Sequence, residues 1–139
     1  MGKIEGEDNV EFRISKRKLD HSHSGLSSSK AHISNSYMFV YSLTVSIVEP
    51  EAMNWMIWMR TEHLPAIMET GCFDEVSIKE LVEPKPEQGM STYNFQFKAR
   101  TKEHIQDYMQ THAQRIHSKH DEKYKGRYMA FDTILKEIL

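Results

Sequence analysis

The sequence predicts an α+β domain of the ferredoxin-like type, in which a four-stranded antiparallel-type sheet carries two helices on one face. Three observations support this fold class. Four segments alternate apolar and polar residues with the period of a strand, and two longer segments repeat apolar residues at the spacing of a helix. The order of the segments is β-α-β-β-α-β, which is the split βαβ pattern. We therefore expect residues 37–139 to form one domain.

The strand segments are recognised by their period of two. Residues 37–47 alternate large apolar side chains with smaller or hydroxyl-bearing ones, and residues 91–99 alternate aromatic and polar side chains. Weaker strand patterns occupy residues 73–82 and about 128–135. We expect the first and third strands to pair centrally and in parallel. Their polar sides would then form one patch on the face away from the helices, made of Ser42, Thr44, Asn94 and Gln96.

The first helix is predicted to begin near Pro50, because a proline at the first position of a helix loses no hydrogen bond. Its buried stripe would consist of Ala52, Trp55, Met56 and Met59. Pro65 disfavours helical backbone in the residue before it, so we expect a break at His63-Leu64. A short second turn would follow and would stop at Gly71.

The second helix is predicted to begin at Thr101, whose hydroxyl can cap the first free backbone N–H groups. Its apolar stripe contains a histidine, since it is made of Ile105, Tyr108, Met109, His112, Ala113 and Ile116. We therefore expect His112 to be buried and hydrogen-bonded. His117 and His120 are assigned to the exposed side. They would bind a metal only with a third ligand, such as Asp121 or a residue of a partner chain, so no metal site is predicted.

The composition excludes several classes of function. The net charge of −2 and a pI near 6.4 argue against a nucleic-acid-binding surface. The single cysteine, Cys72, excludes an intramolecular disulfide, and no apolar run is long enough to span a membrane. A cytoplasmic location is therefore expected. No glycine-rich phosphate loop, CxxC pair or nucleophile-base-acid arrangement is visible, so no cofactor is predicted.

Residues 1–36 are predicted to be a disordered tail, or upstream sequence translated from an early start codon, with Met38 at the edge of the first strand. This segment is rich in serine, glycine and charged residues and has few apolar ones, so it cannot bury enough area to offset its ordering entropy. Two weaker alternatives are a nuclear-type basic signal at Lys16-Arg17-Lys18 and a metal site at His21 and His23.

A series of short motifs runs through the domain. They are Tyr41-Ser42-Leu43-Thr44-Val45, Trp55-x-x-Trp58-Met59, His63-Leu64-Pro65-x-x-Met68-x-Thr70-Gly71-x-Phe73, Tyr93-x-x-Gln96-Phe97, Tyr108, His112-Ala113, His120 and Phe131-x-Thr133. In this order and spacing the chain, from Met38 to about Glu137, resembles an uncharacterised, mainly Bacteroidetes family of small proteins that is classed only as a domain of unknown function. The resemblance implies a dimeric α+β barrel, in which two ferredoxin-like sheets pack face to face.

The chain departs from this family at three positions. Ser42 and Ser46 stand where the family usually has asparagine, and Asp132 stands where the family usually has arginine. A ligand role for that arginine therefore cannot be transferred to this chain.

Six residues are candidates for a ligand pocket, namely Tyr41, Trp55, Trp58, His63, Gln96 and His112. Each has a structural alternative. The two tryptophans are expected to belong to the core of the domain, and His63 can satisfy backbone carbonyls at the expected helix break. His112 can make a buried structural hydrogen bond, and Gln96 can line a wet space between two sheets or face solvent.

The favoured hypothesis for function is a small-molecule-binding or structural homodimer. The alternative is a small cofactor-independent enzyme, resembling the monooxygenases among the dimeric α+β barrels. A deep cavity touching His63, His112, Tyr41 and Trp58 would favour the enzyme, and side chains filling that space would favour binding or structure. Dimerisation is expected through the sheet face opposite the helices, because Met38, Val40, Ala130 and Ile134 alternate onto or near that face.

Overall fold

A five-stranded sheet forms one layer of the molecule and two helices form the other. The computed structural model describes the backbone of residues 12–15 and both backbone and side chains of residues 38–138. The sheet has the order β1-β3-β4-β2-β5, and all of its neighbouring strands are antiparallel. The strands are β1 (Phe12–Ser15), β2 (Phe39–Val48), β3 (Glu75–Glu80), β4 (Met90–Ala99) and β5 (Tyr128–Lys136). Strands β2 to β5 and the helices confirm the predicted ferredoxin-like layout.

The central strands β2 and β4 pair antiparallel, and the prediction that they pair in parallel was wrong. The reason lies in the connections. A helix joins β2 to β3, so these two strands run in the same direction. The chain then returns from β3 to its neighbour β4 without an intervening helix, which reverses the direction. Ser42 is consequently opposite Gln96, and Thr44 is opposite Asn94.

The first helix consists of α1 (Glu49–Trp58), a π-helical turn (Met59–His63) and α2 (Leu64–Glu69). The predicted break at His63-Leu64 was wrong, because the helix widens there instead of ending. Pro65 has no N–H to donate and its ring crowds the preceding turn. In the wider turn the Leu64 N–H donates to the Met59 carbonyl, five residues back, so the chain remains helical. The predicted stop is confirmed at Gly71, whose φ of 79° favours glycine.

The second helix consists of α3 (Lys102–Asp107), a π-helical turn (Tyr108–His112) and α4 (Ala113–Tyr124). Its predicted cap is confirmed, because the Thr101 Oγ1 accepts a hydrogen bond from the His104 N–H at 3.2 Å. The π turn contains one residue more than an α turn and changes which residues face the sheet. Beyond it the buried residues of α4 are Ala113, Ile116, His120 and Tyr124.

The core lies between the helices and one face of the sheet. Four aromatic side chains contact one another at its centre, with ring centroids 5.1 to 6.1 Å apart, and they are Tyr41, Phe73, Phe97 and Tyr108. All four are almost completely buried. Tyr41 and Phe97 come from the paired central strands, so the sheet register brings these two rings together.

The opposite face of the sheet, here called the open face, carries the predicted polar patch. The Asn94 Nδ2 donates hydrogen bonds to the hydroxyls of Ser42 and Thr44, both at 3.0 Å. Along the same two strands, the hydroxyls of Ser46 and Thr92 are 2.7 Å apart. Because these groups satisfy one another across the pair β2–β4, the prediction that the polar sides of the two strands meet on this face is confirmed.

Strand β5 adds apolar side chains to the open face, although not those predicted. Ala130 and Ile134 are opposite Val45 and Tyr41, so they lie on the side of the helices. The prediction placed the alternation of β5 one residue out of register. The large apolar side chains of β5 on the open face are Met129, Phe131 and Leu135, all of them exposed.

The prediction of a disordered or mis-started tail falls mostly on residues outside those described. Within it, the backbone of Phe12–Ser15 forms β1, which pairs with β3 and gives the sheet a fifth strand that the sequence did not suggest. In the part of the chain that the structure describes, none of the helices combines the length and the apolar character needed to cross a bilayer.

Candidate functional site

A group of aromatic and histidine side chains lies between the two helices at the β5 side of the sheet. His63 comes from the first π turn and is 5% exposed. Its ring contacts Trp58, with centroids 5.0 Å apart, and His120 of α4, with centroids 5.3 Å apart. The two helices therefore bring together residues that are far apart in the sequence.

His120 is fixed by contacts on two sides. The indole Nε1 of Trp55 donates to its Nε2 at 2.9 Å, so the ring proton of the neutral imidazole lies on Nδ1. Tyr128 of β5 packs edge-on against the same ring, with centroids 4.4 Å apart. The hydroxyl of Tyr128 in turn donates to Asp121 at 2.7 Å. His120 thus has a single tautomer and a defined orientation.

A small cavity of about 60 Å³ lies beside the two histidines. A buried water requires roughly 10 to 15 Å³ of such volume, so the cavity has room for a group of a few non-hydrogen atoms. Its walls are mostly apolar or aromatic, and the histidines supply the polar surface. The lining residues are Leu43, Val45, Met59, His63, His117, His120, Tyr128 and Ala130.

Both histidines of the cluster are neutral at physiological pH. Burial, followed by the nearby His120 and His117, lowers the pKa of His63 to about 3. Burial and the nearby His117 lower the pKa of His120 to about 4, although Asp121 acts in the opposite direction. A neutral imidazole carries one lone pair that can accept a hydrogen bond.

The two histidines differ in how their ring nitrogens are satisfied. His120 accepts from Trp55, whereas His63 makes only ring contacts and has no hydrogen-bond partner among residues 38–138. Neither nitrogen of His63 is completely enclosed by protein, because the Tyr108 hydroxyl is the one fully enclosed and unpaired side-chain group in the described part of the chain. His63 therefore offers hydrogen-bonding capacity to the cavity.

Comparison with known proteins identifies the family. The model of the family DUF4286, a domain of unknown function, matches residues 38–138, which is most of the chain. This chain belongs to the DUF4286 family. No curated protein sequence matches the chain. Among solved structures, the de novo designed protein Foldit4 matches with a TM-score of 0.47 and 11% identity, covering 72% of this chain and 98% of the designed one.

The structure of this DUF4286 domain separates the six predicted pocket residues. Trp55, Trp58 and His63 lie in the cluster around His120. Tyr41 lies in the core, and its hydroxyl donates to Asp132 at 2.8 Å. Gln96 lies on the open face, opposite Ser42 and Ser77. The predicted residues therefore do not line one deep cavity.

His112 and His120 of the DUF4286 domain exchange their predicted environments. His112 is only half-buried and its Nδ1 contacts the exposed Arg115 at 3.2 Å, so the prediction of a buried His112 was wrong. His120 is 6% exposed, so its assignment to the exposed side was also wrong. The extra residue of the second π turn explains the error at His112, because the sequence prediction assumed an uninterrupted α-helix. The error at His120 has a different cause, since the spacing from the buried Ile116 was overlooked. The position of His120, four residues after Ile116 on the same face of the helix, was the sequence signal that could have predicted its burial.

A second and larger groove of the DUF4286 domain does not have the features of a specific site. It measures about 1040 Å³ and lies between α1 and residues 80–91. Its apolar residues include the exposed Met53, Ile57 and Val82. Its charged side chains are also mostly exposed, whereas His63 is a buried polar group without a hydrogen-bond partner among residues 38–138. The cluster around His63 is therefore the better candidate.

Proposed function

We propose that this protein is a homodimer that binds a small molecule in the cavity beside His63. The observation that carries the proposal is the buried, neutral imidazole of His63, which lines a cavity and has no hydrogen-bond partner among the described residues. Buried polar groups in folded proteins are nearly always paired with protein, water or ligand. A ligand with a hydrogen-bond donor would satisfy this nitrogen.

The chemistry of the walls limits the class of ligand. A neutral His63 accepts a hydrogen bond and attracts no anion, because its pKa of about 3 keeps the ring uncharged. The aliphatic side chains of Leu43, Val45 and Met59 favour an apolar body. The ligand is therefore a neutral molecule, or the end of a larger one, that combines a compact apolar or aromatic group with an O–H or N–H donor.

The enzyme alternative has less support. A monooxygenase-like site would need a deep cavity shared by His63, His112, Tyr41 and Trp58. Aromatic core residues fill the region around Tyr41, and the Tyr41 hydroxyl is already hydrogen-bonded to Asp132. His112 lies elsewhere, beside Arg115. This arrangement favours binding over catalysis.

The open face supports the dimer. Met129, Phe131 and Leu135 are 57%, 66% and 47% exposed there, although large apolar side chains are usually buried. They lie next to the polar residues of β2 and β4, of which Ser42, Thr44, Ser46, Thr92 and Asn94 are already hydrogen-bonded to one another. Packing two open faces together would remove apolar area from water without leaving these polar groups unpaired.

Titration with small probes, followed by NMR of ¹⁵N-labelled histidines, tests the binding proposal. The alcohol 2-propanol has a compact apolar body and an O–H donor, and 2-chloropropane has a similar shape without the donor. We expect 2-propanol to shift the His63 signals in a saturable way and 2-chloropropane to bind about fivefold more weakly, since one hydrogen bond contributes about 1 kcal/mol.

The variant His63→Leu should lose the preference for 2-propanol over 2-chloropropane, while the exposed His104→Ala variant should keep it. The proposal is wrong if 2-propanol leaves the His63 signals unchanged, or if His63→Leu and the parent protein bind 2-propanol equally well.

A further inference from the structure

A second cluster of reactive side chains lies at the junction of the two helices, away from the cavity at His63. The Cys72 Sγ is 3.6 Å from the Asp107 Oδ2. His112 completes the group, because one ligand atom from each of the three residues lies within 4.8 Å of the other two. No other group of three such ligands was found among the described residues.

Local structure explains why these residues meet. Asp107 immediately precedes the second π turn, and His112 is its last residue. In a regular α-helix, residues five apart point about 140° away from each other, because each residue turns the helix by roughly 100°. The wider π turn reduces this angle and brings the two side chains to the same side. Gly71, with its positive φ, follows the end of α2, and the next residue, Cys72, contacts Asp107.

We propose that Cys72, Asp107 and His112 form a binding site for a divalent metal ion of the zinc class. Thiolate, imidazole and carboxylate are the three ligand types that zinc prefers in proteins. Binding would release the proton of the Cys72 thiol to solvent, and the two negative ligands would then neutralise the charge of the ion. In a tetrahedral zinc site the ligand atoms are roughly 3.5 Å apart, so a movement of about 1 Å would complete the coordination.

Neighbouring residues support a metal site at this position. The Thr111 hydroxyl donates to the Asp107 Oδ1 at 3.2 Å, which leaves the other carboxylate oxygen directed at Cys72. Such a second contact is typical of metal-binding carboxylates. The Tyr108 ring stacks on His112, and its fully enclosed hydroxyl has no partner among the described residues. A water on the bound ion would give the Tyr108 hydroxyl a partner.

One neighbour opposes the ion. The exposed Arg115 guanidinium contacts the His112 Nδ1 at 3.2 Å. A positive charge at this distance disfavours a metal ion, and its contact occupies one nitrogen of the ring. Arg115 must therefore move into solvent when the ion binds. Removing the charge in Arg115→Gln should tighten zinc binding severalfold.

Cobalt titration of the full, reduced chain tests the site, because cobalt(II) shows a charge-transfer absorption band only when a thiolate binds it. We expect one cobalt ion per chain with this band, and displacement of cobalt by zinc. Cys72→Ser should abolish the band. Asp107→Asn, a change at the exposed surface that should not affect folding, and His112→Ala should each weaken zinc binding by about tenfold or more.

Two controls separate this site from adventitious binding. Glu103→Gln and His104→Ala remove a carboxylate and an imidazole from exposed positions of α3 that are not proposed as ligands. These two variants should leave the zinc affinity unchanged. Replacing both His21 and His23, which lie outside the described residues, should also have no effect. The proposal is overturned if the thiolate band is absent, or if Asp107→Asn binds zinc as tightly as the parent protein. It is also overturned if the His21 and His23 variant loses the binding.

Discussion

At the scale of single residues, neutral buried histidines make the stability of this protein depend on pH. In the unfolded chain, histidine takes up a proton as the pH falls through about 6.5. In the folded protein, His63 and His120 remain neutral down to pH values of about 3 and 4. The unfolded state therefore binds more protons between these limits, and the free energy of unfolding must fall as the pH is lowered.

We expect His63 alone to contribute about 2 to 3 kcal/mol to the loss of stability between pH 7 and pH 4.5. Urea unfolding at several pH values measures this directly. In His63→Leu the part of the pH dependence that comes from His63 should disappear, whereas His104→Ala, at an exposed position, should retain the full dependence. Equal pH dependence in His63→Leu and the parent protein would show that His63 is solvated in the folded state.

The hydrogen bond between Tyr41 and Asp132 is a second feature at this scale. The Tyr41 ring is 1% exposed and its hydroxyl donates to Asp132 of β5. Asp132→Ala leaves that hydroxyl without its partner and should lower the free energy of unfolding by about 1 to 2 kcal/mol. In a Tyr41→Phe background, where the hydroxyl is absent, the same change should cost almost nothing. Equal costs in the two backgrounds, measured by urea unfolding, would exclude a stabilising hydrogen bond.

At the scale of helices and strands, the sequence predicted most elements because their hydrophobic periods are local. The strand β4 and the caps at Thr101 and Gly71 follow from neighbouring residues alone. The two π turns could not be predicted in this way. They arise where packing on the sheet favours one extra residue per turn, and the sequence period of the helix does not reveal that choice.

The same limitation explains the errors at the candidate site. Continuing the α-helical period past Tyr108 placed His112 in the core, and the extra residue of the π turn moves it toward the surface. His120 was assigned to the surface although it follows the buried Ile116 by four residues, about one α-helical turn. Trp55 was correctly expected in the core, but its partner His120 is 65 residues away, and no local pattern joins the two. The strand predictions failed in two respects. The direction of the central pair β2–β4 is set by the connections between strands, and the register of β5 depends on pairing with β2 rather than on its own alternation.

Deleting one residue from the second π turn tests its role. Gln110 is exposed, and its removal should restore a regular α-helix without rotating Ala113, Ile116 or His120 away from the core. We expect circular dichroism to show a folded protein. The deletion leaves Asp107 and His112 four residues apart, which places them on the same face of a regular α-helix, so the thiolate-to-cobalt band should be retained. A shortened chain that does not fold would show that the wider turn is required for the helix to pack on the sheet.

At the scale of the whole molecule, the family match begins at residue 38 and therefore leaves out β1. Strand β1 has four residues and pairs only with β3, at the edge of the sheet. A chain of residues 37–139 should still fold, with a melting temperature lower by no more than about 5 °C, which corresponds to roughly 1 kcal/mol in a domain of this size. A truncated chain without a cooperative thermal transition would show that the segment before residue 37 is required.

The open face is the other feature of the whole molecule. Its exposed apolar residues can be replaced by charged ones to test whether two chains pack together there. Phe131 is 66% exposed on the open face, and Met53 is 76% exposed on α1. Replacing either by glutamate changes a residue that a single chain leaves in water, so both variants should fold. Val40 is less suitable, because it is already buried in the single chain, with only 8% of its surface exposed. A charge there would destabilise the fold itself.

Light scattering on the full chain at low micromolar concentration is the most direct test of the proposed homodimer. We expect a mass of about twice the chain mass of 16.3 kDa for the parent protein and for Met53→Glu. Phe131→Glu should shift the protein toward the mass of one chain, because a buried unpaired charge would oppose the packing of two open faces. A folded parent protein with the mass of a single chain would contradict the homodimer, and an unchanged dimer in Phe131→Glu would exclude the open face as its interface.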